Sequence, residues 1–364
     1  MVFPLQPPTS TTGPFAVGMS KLELSDPTMA PEPDVQLWYP ADRMITGSDS
    51  LQPPANGGAR WAPWRRIDPV IPAAAPAVNP PRFPIILYFS GWSGTRLDNA
   101  IAVRDLASHG FVVVTVLYAA RQPGASDAEY RRQIEDLERP MDFSSADALQ
   151  RTIDLAANRV RARARHASII LNALARLDKY DPDGRFTQRL SLDRVGIFGF
   201  SFGGAVAAQA AWLDPRFKAA VNLDGWHFAE AAEQGVDQPY LIMSDDTPPP
   251  SAADLASGNP VTQAMASMND QDYRRSIENL RKHGGFFLTI SGTTHVNYTD
   301  AALRSRIRRV TGAGPIAPVR AVEIIDAHLR EFFGKYLLDE DSGLFKAGGA
   351  RFPEARIEIC KLPE

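Results

Sequence analysis

The sequence has a single cysteine, Cys360, in 364 residues. One thiol cannot form an internal disulfide, and no cysteine–histidine spacing typical of a zinc site is present. We therefore expect no disulfide framework, no metal and no organic cofactor. The chain also lacks a run of 18 or more apolar residues, so no segment is predicted to span a membrane.

A strong excess of charge is also lacking. Lysine and arginine number 39 and aspartate and glutamate number 42, which gives a net charge of −3. This balance lacks the basic field that nucleic-acid binding requires, so we expect no nucleic-acid partner. Residues 1–20 lack the basic start and apolar middle of a signal peptide. The chain as it stands is thus predicted to be cytoplasmic, although a secreted chain whose signal had been removed would look the same.

Apolar runs and helical patterns alternate along the chain. Runs typical of strands buried on both faces of a parallel sheet occur at 85–89, 111–117, 195–200, 219–223, 240–243 and 286–290. Helical patterns lie between or after them at 100–108, 146–177, 204–212, 270–283 and 321–338. This order predicts one α/β domain over 1–364, with a doubly wound, mostly parallel sheet. The oligomeric state is left open.

Three features depart from the regular alternation. A short strand at 35–39 is predicted to stop at Pro40. Segment 48–84 is rich in Pro, Gly and Ala, contains Trp61 and Trp64, and is predicted to be a long irregular insertion. The charged, helix-like segment 126–145 is a candidate lid or small cap.

The strongest local motif is Gly-Phe-Ser-Phe-Gly-Gly at 199–204. It follows an apolar strand and precedes an alanine-rich helix, which is the context of a G-x-S-x-G nucleophile elbow. Such an elbow holds its serine on a strained turn, above a helix N-terminus that favours developing negative charge. The motif predicts Ser201 as the nucleophile of an α/β-hydrolase fold.

The catalytic base should follow the serine, because triads on this fold run in the order Ser, acid, His. The candidates are His227, His283, His295 and His328. His283 ends a predicted helix and His328 lies within one. His295 follows the late strand 286–290, at the sheet edge where such folds present catalytic groups, and is the predicted base.

The residues alone leave the acid open. Asp224 follows the strand 219–223, whereas Asp245 and Asp246 follow the next strand. All three lie at carboxyl ends of strands, and fold logic slightly favours the later pair.

Four stretches resemble a known family, the serine-dependent platelet-activating-factor acetylhydrolases (lipoprotein-associated phospholipase A2) and their microbial relatives. They read DLASHGFVVV at 105–114, DRVGIFGFSFGGA at 193–205, NLDGW at 222–226 and SGTTHVNY at 291–298. The resemblance runs from about residue 84 to 338, with a weaker match near 35–40. It implies an α/β-hydrolase that cleaves short or modified acyl esters, lipids included, without a cofactor.

The resemblance also implies roles for individual residues. It selects Asp224 as the acid, beside Ser201 and His295. The segment 90–94 resembles the family's first oxyanion loop, which implies that the backbone N–H groups of Trp92 and Phe202 form the oxyanion hole. Gly91 and Trp226 would then contact the substrate.

Two positions near the mouth of the site depart from the family pattern. Phe200 and Ser90 stand where the family usually has histidine.

Other functions are compatible with the sequence. The same machinery would serve a polyester, lactone or dienelactone-type hydrolase, and a hydrolase fold can carry a non-catalytic binding protein. Arg159, Arg161, Arg163 and Arg165 are predicted to lie on a solvated helix without forming one stripe, because residues two apart point in different directions. Contact of such arginines, or of Trp61 and Trp64, with a lipid interface is the alternative.

Overall fold

A computed structural model of the chain describes residues 11–24, 29, 32–42, 70–119, 121, 124–305, 307–346 and 351–360. Trp61 and Trp64, with most of the predicted insertion 48–84, lie outside these residues. Of the described helices, none is both long enough and apolar enough to cross a bilayer.

The described strands, in chain order, are β1 (Ala16–Leu22), β2 (Asp34–Ala41), β3 (Val70–Pro72), β4 (Phe83–Phe89), β5 (Val112–Leu117), β6 (Leu190–Phe200), β7 (Phe217–Leu223), β8 (Tyr240–Ser244), β9 (Gly285–Ile290) and β10 (Ala355–Cys360). They form a single sheet in the order β10-β9-β8-β7-β6-β4-β5-β2-β1-β3. The six central strands β9, β8, β7, β6, β4 and β5 run parallel. The carboxyl ends of these strands therefore share one edge of the sheet.

The described α-helices are α1 (Ala100–Ser108), α2 (Asp127–Glu138), α3 (Ala146–Lys179), α4 (Phe202–Leu213), α5 (Ala229–Gln234), α6 (Ala252–Leu255), α7 (Pro260–His283), α8 (Arg308–Thr311) and α9 (Pro318–Leu337). Helices α3 and α4 pack on one face of the sheet, and α1 and α9 pack on the other.

Strand β4 shows why the central runs are continuously apolar. Ile85, Leu87 and Phe89 point into the core beneath α3 and α4, while Ile86 and Tyr88 point into the core beneath α1 and α9. A strand covered on both faces must bury every side chain, so its sequence does not alternate. The predicted doubly wound, mostly parallel α/β fold is confirmed.

The structure corrects three details of the sequence interpretation. Strand β2 continues through Pro40, which pairs with Val17 of β1 beyond the part of β2 that faces β5. A residue without an N–H is tolerated where only one side of a strand is paired. Residues 70–72, expected to be irregular, form β3 alongside β1.

The third correction concerns the arginines of α3. Arg163 is buried, and Arg159 is only partly exposed. These two residues are four apart and therefore share one helix face. The expectation of a solvated arginine run fails for both.

Candidate active site

Ser201 lies on a sharp turn between β6 and α4. Its backbone has φ 53° and ψ −122°, a left-handed conformation that costs a residue with a side chain about 1–3 kcal/mol. Two hydrogen bonds hold the turn: the Ser201 N–H donates to the carbonyl of Leu223 at 2.7 Å, and the Gly204 N–H donates to the carbonyl of Ser201 at 2.8 Å. The side chain is thereby presented above the sheet edge.

Close backbone packing around this turn explains why glycine follows the serine. A Cβ atom on Gly203 would lie 2.0 Å from the carbonyl oxygen of Phe89, at the end of β4. One on Gly204 would lie 1.9 Å from Oδ1 of Asn222 in β7. Only glycine lets the first turn of α4 approach both neighbouring strands. This approach brings Phe202 beside the loop that follows β4.

His295 lies in the loop after β9, at the start of a 3₁₀ turn spanning His295–Tyr298. Its Nε2 is 3.1 Å from Oγ of Ser201. Its Nδ1 is 2.6 Å from Oδ2 of Asp224. The structure therefore brings Ser201, His295 and Asp224 into one hydrogen-bonded chain, in the arrangement that nucleophilic catalysis by serine requires.

Asp224 follows β7 and also adopts a left-handed backbone, with φ 56°. Its N–H donates to the carbonyl of Met243 at 2.8 Å. Asn222 braces the turn from behind: its Oδ1 accepts the N–H of Gly225 at 2.8 Å, and its Nδ2 donates to the Gly225 carbonyl at 2.7 Å. The carboxylate side chain is 10% exposed and faces the imidazole.

The two later aspartates serve the same site without contacting the imidazole by hydrogen bond. The backbone N–H of Asp245 donates to Oδ1 of Asp224 at 2.8 Å. The Oδ2 atom of Asp246 accepts the N–H of Gly292 at 2.8 Å, in the loop that leads to His295. Of the three aspartates that the sequence left open as the acid, Asp224 is the one that hydrogen-bonds His295.

The electrostatics of His295 favour its charged form. Burial lowers its pKa, but the hydrogen bond and charge of Asp224, aided by the charges of Asp245 and Asp98, outweigh burial and raise the pKa above its ordinary value. The pKa of Asp245 is also raised, by burial and by the negative charge of Asp224. Proton transfer from Ser201 to the imidazole is assisted by this cluster of negative charge.

The rings of Trp92 and Phe202 meet edge to face, with centroids 5.1 Å apart, and Phe202 directly follows Ser201. Phe202 is the first residue of α4, where a backbone N–H has no partner within the helix. The loop before Trp92 is pinned, because the Gly91 N–H donates to Oδ2 of Asp98 at 3.2 Å. Gly91 is therefore occupied as a donor. The N–H groups of Trp92 and Phe202 remain the predicted donors of the oxyanion hole.

Segment 126–145 packs over this loop. Nε1 of Trp92 donates to the carbonyl of Arg139 at 2.7 Å. Phe143 meets Trp226 edge to face at a centroid distance of 6.4 Å. Helix α2 itself has no buried side chain. Segment 126–145 thus covers Trp92 and Trp226, and α2 touches the core through the partly buried Leu137.

Residues 69–343 match the family described as "Platelet-activating factor acetylhydrolase, isoform II". This match covers most of the chain. The chain belongs to this family. The resemblance inferred from the sequence is therefore confirmed.

Individual relatives agree with the family assignment. A "Platelet-activating factor acetylhydrolase" of Cavia porcellus is 26% identical over 70% of this chain and 58% of its own length. One of Bos taurus is 26% identical over 60% of this chain and 48% of its own length. The chain thus spans about half the length of these acetylhydrolases.

A solved structure, "Ferulic acid esterase from Streptomyces cinnamoneus", aligns with a TM-score of 0.62 and 21% identity. The alignment covers 97% of this chain and 99% of the esterase. It shows that this acetylhydrolase-family chain shares the fold of that enzyme.

Three contributors to the site were not predicted from the sequence. Phe200, which replaces the usual family histidine, stacks on the ring of His295 at 4.7 Å. Asp98 accepts the N–H of Gly91 in the loop after β4, and the backbone N–H of Asp245 donates to Asp224 of the triad. No local motif marks any of them, because each acts through tertiary contact.

Two other histidines that were candidates for the base lie in other contacts. His283 bonds Asp237 at 2.6 Å, and His328 is buried with Nδ1 2.7 Å from the carbonyl of Ile324.

Proposed function

We propose that this protein is a serine-dependent carboxylic ester hydrolase that forms an acyl-enzyme on Ser201. The observation that carries the proposal is the continuous chain from Ser201 Oγ through His295 to Asp224, at 3.1 and 2.6 Å. Membership of the acetylhydrolase family supports it. The role of each residue follows from its position in this series of hydrogen bonds.

In the first half of the reaction, Oγ of Ser201 attacks the ester carbonyl carbon while Nε2 of His295 takes the hydroxyl proton. Asp224 accepts a hydrogen bond from Nδ1–H of His295, stays ionised and stabilises the imidazolium. The tetrahedral oxyanion is held by the N–H groups of Trp92 and Phe202. In comparable sites each such donor stabilises the transition state by about 3–4 kcal/mol.

The intermediate collapses when the carbonyl re-forms and the bond to the alcohol oxygen breaks. His295 returns the proton to the departing alcohol, which leaves an ester between the acyl group and Ser201. A water molecule then cleaves this ester. His295 takes a proton from the water while the water oxygen attacks the acyl carbon. The bond to Oγ breaks, and His295 returns the proton to Ser201. The products are an alcohol and a carboxylic acid, and no cofactor enters the balance.

The proposed substrates carry short or modified acyl groups. Aromatic rings crowd the nucleophile: Phe202 contacts Trp92 on one side and Phe228 on the other, at centroid distances of 5.1 and 6.2 Å. We propose that segment 126–145 acts as a lid, because it bonds Trp92 and packs on Trp226 while α2 buries no side chain. A roofed, aromatic site favours a compact acyl group over a long chain.

A series of p-nitrophenyl esters tests this proposal. We expect turnover with acetyl and butyryl esters, and kcat/KM should fall as the acyl chain lengthens toward palmitoyl. The Ser201→Ala variant is the matched control and should be inactive on every ester. Highest activity on palmitate would contradict the short-acyl proposal, and absence of turnover on every ester of the series would favour a non-catalytic binding protein.

A further inference from the structure

Arg163 of α3 is a buried cation directly behind the predicted oxyanion loop. Its side chain is 4% exposed. Nη2 donates to the carbonyl of Ser93 at 2.9 Å. The guanidinium lies over the ring of Tyr118 at 4.5 Å and over the ring of Phe202 at 5.0 Å. The guanidinium is thus packed against two aromatic side chains.

This cation has no counter-ion among the residues that the structure describes. The groups that act electrostatically on it are Tyr118 and Arg159, and Nη1 is buried without a hydrogen-bond partner. Burial lowers the pKa of Arg163 to about 10, so the group stays protonated at neutral pH. An unpaired buried charge is costly, because desolvation is not repaid by a neighbouring anion.

The contacts of Arg163 link it to both backbone donors. Ser93 immediately follows Trp92, and the ring of Phe202 belongs to the residue whose N–H follows Ser201. A Cβ atom on Gly94 would lie 3.2 Å from both Nη1 and Nη2, so the guanidinium also abuts the end of the loop. The cation therefore contacts the residue after one predicted oxyanion donor, Trp92, and the side chain of the other, Phe202.

We propose that Arg163 is a positioning residue of the oxyanion hole, which fixes loop 91–94 through the Ser93 carbonyl and supplies the positive charge that the transition state neutralises. This inference rests on the proposed ester hydrolysis at Ser201. In a water-poor site, a charge already in place stabilises developing negative charge without reorganising. The resting enzyme carries the unpaired cation, and the tetrahedral intermediate supplies its missing anion.

Three substitutions separate the charge of Arg163 from its hydrogen bond and its bulk. Arg163→Lys keeps the charge and a donor, Arg163→Gln keeps a donor without charge, and Arg163→Met keeps only apolar length. Arg165→Met is the matched control, since Arg165 lies on the same helix but is exposed. For each variant, kcat and KM on p-nitrophenyl acetate and Ki for a trifluoromethyl ketone are measured, with the melting temperature.

We expect Arg163→Met to lower kcat by about 10- to 100-fold, somewhat less than loss of a direct oxyanion donor. Its KM should change less than about threefold, and its affinity for the trifluoromethyl ketone should fall in parallel with kcat. Arg163→Lys should recover most of kcat, and Arg163→Gln should stay near the methionine variant. Arg165→Met should match wild type.

Several results overturn the inference. They are a kcat of Arg163→Met within about twofold of wild type, a rise in KM alone, or equal kcat for the lysine and glutamine variants. If Arg163→Met does not fold, the inference is tested by comparing kcat of Arg163→Lys with kcat of Arg163→Gln. Wild-type protein that turns over no ester refutes the proposed function itself, whereas an active wild type with unaffected Arg163 variants refutes only the role of Arg163.

Discussion

The exchange of one oxygen for nitrogen at Asp224 gives a sharp test of the proposed triad. In the native site, Nδ1–H of His295 donates to Oδ2 at 2.6 Å, which leaves Nε2 free to accept the proton of Ser201. Asp224→Asn preserves size, and its oxygen can still accept the Asp245 N–H, now 2.8 Å from Oδ1. Its NH₂ group then faces Nδ1 and favours the tautomer protonated on Nε2, which cannot act as the base.

We expect Asp224→Asn to lower kcat by up to about 10⁴-fold, as the same change does in other triads, which corresponds to about 5.5 kcal/mol of transition-state stabilisation. Turnover of p-nitrophenyl acetate measures it, and Asp245→Asn and Asp246→Asn are the matched controls. Both controls should retain most of kcat, because the Asp245 contact with Asp224 uses the backbone and the Asp246 side chain bonds the N–H of Gly292, not a triad residue. Melting temperatures exclude unfolding. A crippled Asp245→Asn or Asp246→Asn beside a near-normal Asp224→Asn would refute the reasoning.

Two further predictions follow from charges near the site. Because Asp245 helps to raise the pKa of His295, Asp245→Asn should lower that pKa and move the acid limb of the kcat/KM–pH profile to lower pH; an unmoved limb would contradict this. Burial raises the pKa of Asp300 to about 7, so the native state loses up to about 4 kcal/mol of stability as pH rises from about 4 to 7. Asp300→Asn lacks this loss. In urea unfolding, the free energy of unfolding of the variant should therefore rise relative to that of wild type between pH 4.5 and 8. A difference between the two that does not change with pH would contradict this prediction.

Sequence reasoning located the central strands well because each of them is buried on both faces and therefore continuously apolar. Strands 195–200 and 286–290 were placed correctly, and each is extended at its start in the structure, as β6 and β9. The edge strands were missed. In β10 the partly buried Ala355 and Ile357 alternate with the exposed Arg356 and Glu358, so the strand lacks the continuous apolar signal of a core strand.

The triad residues carried a recognisable signal, and the supporting residues did not. Ser201 lies within a motif and His295 follows a strand, so both could be selected from pattern and chain order. Choosing Asp224 over Asp245 required either the family resemblance or coordinates, because both follow neighbouring strands. The buried position of Arg163 could not be predicted, since other arginines lie two residues to either side of it and its contacts, Ser93, Tyr118 and Phe202, are distant in sequence.

Covalent labelling with a fluorophosphonate tests the central claim most directly, because the reagent reacts with a serine only when it is activated as a nucleophile. Intact-mass analysis of wild-type protein should show one adduct, and peptide mapping should locate it on Ser201. The Ser201→Ala variant should show none, while keeping the wild-type melting temperature. A label that persists in Ser201→Ala, or one that maps to another residue, would contradict the assignment of Ser201 as the nucleophile.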